Sequence, residues 1–68
     1  MSEALGNRIK EYRAAAGLTQ AELAAACMVS RKTINTVENG VFIPSTVLAL
    51  RIAQVFGVAV EDIFWLEP

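Results

Sequence analysis

Only three residues, Met28, Val29 and Ser30, separate two short stretches that each carry an apolar stripe at helical spacing. The first opens on Thr19-Gln20-Ala21-Glu22, a capping box in which the Thr19 hydroxyl accepts from the Glu22 amide and the Glu22 carboxylate reaches back. Leu23, Ala24 and Cys27 supply its inner face. The second opens after Ser30, a good N-cap, carries Ile34 and Val37 as a narrow stripe, and stops at Asn39-Gly40. A link of three residues forces two such helices to cross steeply instead of lying antiparallel. Neither can bury its own apolar face, so other helices must pack behind them.

The flanking sequence provides those helices. Leu5, Ile9, Tyr12 and Ala16 recur at helical spacing, with Arg8, Lys10 and Glu11 on the other side, and Gly17 ends the segment. Its start is open: Ser2 and Asn7 are both cap candidates, and Gly6 weakens the interior. Pro44-Ser45 opens a fourth helix whose inner face is Leu48, Ile52, Ala53 and Phe56, up to Gly57. Residues 60–64, reaching toward Trp65, predict a last turn or two. No strand signal competes, and there is no repeat, low-complexity tract or linker. The expected fold is all-α: a compact bundle of about five short helices, forming one domain over residues 1–68.

Composition narrows the function. A 68-residue chain buries only about 60% of the surface its unfolded form exposes, and 11 of its 37 apolar residues are alanine. The longest stretch without a charge, residues 39–50, contains Pro44 and falls short of the roughly 18 apolar residues of a membrane span. No basic segment followed by an apolar run marks a secretory signal. The single cysteine, Cys27, excludes an internal disulfide, and its apolar neighbours suit a small buried hydrophobe. Histidine is absent, which removes His-based acid–base catalysis and most zinc sites. The expectation is a cytoplasmic, non-enzymatic domain with no cofactor, no membrane partner and no evident small-molecule effector. Net charge is −1, yet five of six basic residues precede Gly40 while Glu61, Asp62 and Glu67 follow it. A modest basic patch is therefore expected at one end.

Leu18-Thr19-Gln20-Ala21-Glu22-Leu23-Ala24, Val29-Ser30-Arg31-Lys32-Thr33-Ile34 and Val37-Glu38-Asn39-Gly40 resemble the Cro-like phage-repressor helix-turn-helix family, the xenobiotic-response-element regulators. Residues 44–58 and 61–64 are similar to that family's fourth and fifth helices. The resemblance covers roughly residues 7–65. It implies a sequence-specific transcriptional regulator, a repressor, that binds double-stranded DNA as a homodimer on a pseudo-palindromic operator. Gln20 matches a glutamine that contacts phosphate and braces the recognition helix. The third helix would lie in the major groove, with Ser30, Arg31, Lys32 and Thr33 at its leading turn and Asn35 and Thr36 on its outer face. Arg31 or Lys32 would donate to guanine, and Thr36 would meet a thymine methyl. Asn39 matches a position that binds backbone phosphate, although Asn-Gly is also an ordinary helix stop. Arg13 and Glu38 match a structural ion pair.

Three departures stand out. Met28 occupies a turn position where the family most often has a left-handed glycine. Val41-Phe42-Ile43 replaces a loop that frequently carries a basic residue, and Val47 stands where a charge is expected. Phe42, Ile43, Val47, Phe64, Trp65 and Leu66 exceed what a small core absorbs, so Phe42, Val47, Phe64 and Trp65 are expected at a dimer seam. Phe64 or Trp65 folding back over the first and fourth helices is the alternative. The rival function is a protein-interaction module of the same fold, such as the antitoxin half of a toxin–antitoxin pair.

Overall fold

The computed structural model describes residues 4–68. It runs β1 (Ala4–Asn7), α1 (Ile9–Ala16), α2 (Gln20–Cys27), α3 (Arg31–Glu38), α4 (Thr46–Phe56), α5 (Val60–Ile63) and β2 (Phe64–Glu67). Three helices start where a hydroxyl precedes the apolar stripe. Thr19 Oγ1 accepts from the Glu22 amide at 3.0 Å while the Thr19 amide donates to Glu22 Oε1 at 2.9 Å. Ser30 accepts from the Thr33 amide and Ser45 from the Leu48 amide. These bonds satisfy amides that a helix start otherwise leaves without acceptors. Gly17 and Gly57 end α1 and α4 in the left-handed conformation, as helix stops commonly do.

Met28 adopts the same conformation, with φ 60° and ψ 39°, and is the single non-glycine residue with positive φ among the described residues. Its amide bonds back to Ala25 and the Val29 amide to Ala24, which closes α2 and redirects the chain into α3. The turn keeps its left-handed geometry even though a side chain occupies it.

The core is one cluster. Ile9 from α1, Leu23, Ala24 and Cys27 from α2, Ile34 and Val37 from α3, Leu48, Ile52 and Ala53 from α4, Ile63 from α5 and Phe64 from β2 meet at its centre. Tyr12 and Phe56 pack at its edge with ring centroids 5.4 Å apart. The inner faces expected for the second, third and fourth helices are those observed, Phe56 being half-buried.

The two ends correct the all-α expectation. The fold is mostly helical with five helices, but β1 and β2 pair antiparallel, Leu5 opposite Leu66, Gly6 opposite Trp65 and Asn7 opposite Phe64. Leu5 therefore belongs to a strand, α1 begins at Ile9, and Ala16 is exposed. Gly6 explains the exchange. It is a poor helix former, and it lets the Trp65 indole lie directly against the β1 backbone, where a Cβ would collide with the ring. The Ser2 cap candidate lies outside the described residues. Phe64 is corrected as well: at 7% exposure it is core, because β2 turns its ring inward, and it cannot contribute to an exposed seam.

Candidate nucleic-acid interface

The leading turn of α3 is ordered by Ser30. Its hydroxyl accepts the Thr33 amide at 3.2 Å and lies 3.0 Å from Thr33 Oγ1, so both side chains serve the helix start. Arg31 and Lys32, next to this cap, are exposed, and their side chains take no hydrogen-bond or ion-pair partner among the described residues. One turn on, Thr36 Oγ1 lies 3.0 Å from the carbonyls of both Lys32 and Thr33. Its hydrogen is thereby spent within the helix. Ser30, Lys32, Thr33 and Thr36 line a shallow hollow together with Val41 and Phe42.

Behind this face, α3 is held by a polar chain that crosses three helices. Arg13 on α1 clasps the Glu38 carboxylate through Nε and, at 3.0 Å, through Nη2, while its Nη1 donates to the Leu18 carbonyl at 3.0 Å. Glu38 raises the Arg13 pKa, chiefly through that hydrogen bond and against the pull of burial. Gln20 on α2 continues the chain: its Nε2 donates to Glu38 Oε1 at 3.3 Å and its Oε1 accepts from Asn35 Nδ2 at 3.4 Å. Asn35 is thus held half-buried, whereas Asn39 is exposed at the helix stop. Bidentate charged pairs and shared amides fix orientation as well as distance.

Two long-range contacts carried no sequence signal, although Asn7 itself was a cap candidate for the first helix. Arg51 on α4 donates from Nη1 to the Cys27 carbonyl at 3.3 Å, closing the C-terminus of α2 at the turn. Burial raises the Cys27 thiol pKa while Arg51 pulls it back. Asn7 bonds to carbonyls at the end of α3. Both bonds join residues more than twenty positions apart, beyond the reach of any periodicity.

No cluster of three or more His, Cys, Asp or Glu side chains suited to a metal ion occurs among the described residues. Among the described residues no helix is long and apolar enough to cross a membrane.

Two capped helices joined through a left-handed turn, with the second braced from behind and its leading basic turn exposed, define a helix-turn-helix DNA-binding fold. A helix-turn-helix family model matches residues 9–63, and the chain belongs to that family, in its Cro-like branch. It is 43% identical over 61 residues to YgzD of Bacillus subtilis, named an HTH-type transcriptional regulator, a match that covers 90% of this chain and 92% of that one. It is 51% identical over 61 residues to an HTH-type transcriptional regulator of Methanocaldococcus jannaschii, with the same coverage. Among solved structures it resembles the restriction-modification controller protein C.AhdI of Aeromonas hydrophila, with TM-score 0.75 and 30% identity over 79% of this chain and 82% of that one. The clp gene regulator ClgR of Corynebacterium glutamicum gives TM-score 0.74 and 31% identity over 79% of this chain but 57% of that longer one. The chain is accordingly a transcriptional regulator with a helix-turn-helix DNA-binding fold, and its relatives are not enzymes.

Proposed function

We propose that this protein is a cytoplasmic, sequence-specific repressor that acts as one domain and binds a pseudo-palindromic operator as a homodimer, with α3 in the major groove. The observation that carries this reading is the contrast along α3. Arg31 and Lys32 project unpaired from a capped leading turn, while Gln20, Arg13 and Glu38 hold the opposite side. Base edges are read by side chains that are free to donate but fixed in place. Arg31 is the candidate for guanine and Lys32 for guanine or phosphate. Thr36, its hydroxyl turned back on the helix, is suited to a thymine methyl. Gln20, Ser30 and Thr33 lie at the helix starts, where amides favour phosphate, and exposed Asn39 adds a further phosphate contact.

Dimerisation rests on a different surface. Phe42 and Val47 are each 56% exposed, and Ile43, on the same loop as Phe42, is exposed as well. An apolar surface next to the recognition helix suits two-fold pairing that sets the spacing of two half-sites.

Selection of bound fragments from random duplex DNA tests the proposal. The expected product is a two-fold symmetric motif whose half-sites lie about 34 Å, one helical turn, apart. Failure to enrich any sequence, with a second small protein captured instead, would favour the interaction-module reading.

A further inference from the structure

The last turn of α3 takes a partner from near the start of the chain, about thirty residues away. Asn7 Nδ2 donates to the Val37 carbonyl at 3.2 Å and to the Glu38 carbonyl at 3.3 Å, while Asn7 Oδ1 accepts from the Ile9 amide at 3.1 Å. One side chain thus serves the start of α1 and the end of α3. Glu38 is the final residue of α3, and its carbonyl has no donor further along the chain. The following amides bond elsewhere: Asn39 to Asn35, Gly40 to Val37, and Val41 and Phe42 both to Thr36. Asn7 is itself anchored. It pairs in the sheet with Phe64, whose ring lies in the core, and the neighbouring Arg8 amide donates to the Ile63 carbonyl at 2.9 Å.

We propose that Asn7 is a positioning residue for DNA recognition: it ties the terminal sheet to the backbone of α3 and sets the angle at which the recognition helix is presented. The proposal rests on the reading of α3 as the recognition helix. Arg13 and Gln20 grip side chains of α3, and such bonds can follow a small movement of the helix by changing rotamer. The Asn7 bonds grip two backbone carbonyls, and the Asn7 side-chain amide is itself held by its bond to the Ile9 amide. With eight residues, α3 is about 12 Å long, so a small tilt at its end moves the leading turn appreciably. Hydrogen bonds to base edges tolerate only a few tenths of an ångström before they weaken, and a loosely supported site loses its specificity. The role demands an acceptor and an NH2 group on a short stem, which is the chemistry of asparagine.

That chemistry also separates the two jobs. Asn7→Ser keeps a short acceptor for the Ile9 amide but cannot reach α3. Asn7→Asp keeps the acceptor and sets a carboxylate against two carbonyl oxygens. Binding of each full-length variant to a selected operator and to a scrambled duplex should be measured well below its melting midpoint, followed by circular dichroism. For Asn7→Ser the expected result is a midpoint within a few degrees of the parent, operator affinity lower by about tenfold, and little change on scrambled DNA. Asn7→Asp should lose more operator affinity than Asn7→Ser. Equal operator binding by parent and Asn7→Ser overturns the positioning role alone. A loss that tracks melting, or falls equally on both duplexes, assigns Asn7 to the fold and also overturns it. If the parent itself shows no preference for any duplex, the recognition-helix reading fails first and this inference with it.

Discussion

The Arg13 guanidinium and the Glu38 carboxylate form a two-pronged pair that joins α1 to the last residue of α3, and both side chains are largely out of solvent. Glu38 also receives Gln20, so the pair is the centre of a network and not an isolated contact. Removing one partner leaves a charge without its counterpart, an expected loss of about 3 kcal/mol or more, a large part of the stability of so small a domain. Arg13→Met combined with Glu38→Leu is expected to be milder than either change alone. Urea unfolding of the three variants checks this. Neutral single changes that abolish DNA binding would make the pair part of the DNA contact instead.

At Met28 the left-handed backbone is imposed by the turn and not by the residue. Its side chain is exposed, so little packing is lost on removal. Met28→Gly is expected to add about 1 kcal/mol by relieving strain, which raises the melting temperature of a domain this size by roughly 4–8 °C. A lower melting temperature would show that glycine's backbone entropy outweighs the strain.

Gly6 and Trp65 face each other across the terminal sheet, and the Arg8 guanidinium lies 4.9 Å from the indole centroid on α1's side. Gly6→Ala would drive a methyl into that ring. The expected outcome is displacement of the single tryptophan toward water, seen as a red shift in its fluorescence, with a melting temperature several degrees lower. Unchanged emission and stability would mean the sheet absorbs the methyl without moving Trp65.

The proposed seam gives a direct test of assembly. Phe42→Glu or Val47→Lys is expected to convert a dimer to monomers in sedimentation at micromolar concentration, while leaving the helical circular dichroism intact. Trp65 is less suitable, because it is engaged with Gly6 and Arg8. A parent protein that remains monomeric at high concentration yet binds its operator would remove the dimer from the account.

Much of the middle of the chain was legible because its signals are local. Thr19, Ser30 and Ser45 mark the helix starts, Gly17 and Gly57 two of the stops, and the apolar stripes of α2 to α4 face the core as their spacing requires. The terminal sheet was not legible for the opposite reason. Leu5 is in phase with Ile9, so periodicity places it on a helix, and the partner that makes it a strand, Leu66, is near the other end of the chain. Phe64 was misplaced with it, since a surplus of apolar residues suggests an outer seam until β2 turns that ring inward. The site follows the same division. Arg31 and Lys32 could be read from their place after a cap, whereas Asn7 and Arg51 act on carbonyls of distant helices.

The central claim is that α3 reads sequence, and not merely charge. The proposed dimer would bring few free cations, since Arg13 is paired internally and the 41–43 loop is apolar. Neutralising roughly four to six phosphates gives an expected log–log salt slope of about −4 to −5, so backbone attraction alone leaves binding to random DNA weak. The most direct measurement compares the parent, Arg31→Ala and Lys32→Ala on one selected operator and one scrambled duplex at two salt concentrations. Arg31→Ala is expected to lose about 1–3 kcal/mol on the operator and little on scrambled DNA, as a bidentate contact to guanine requires. Lys32→Ala is expected to weaken both duplexes about equally and to flatten the salt slope if it meets phosphate. Equal losses from both substitutions on both duplexes would reduce α3 to an electrostatic anchor, and no loss from either would contradict its assignment as the recognition helix.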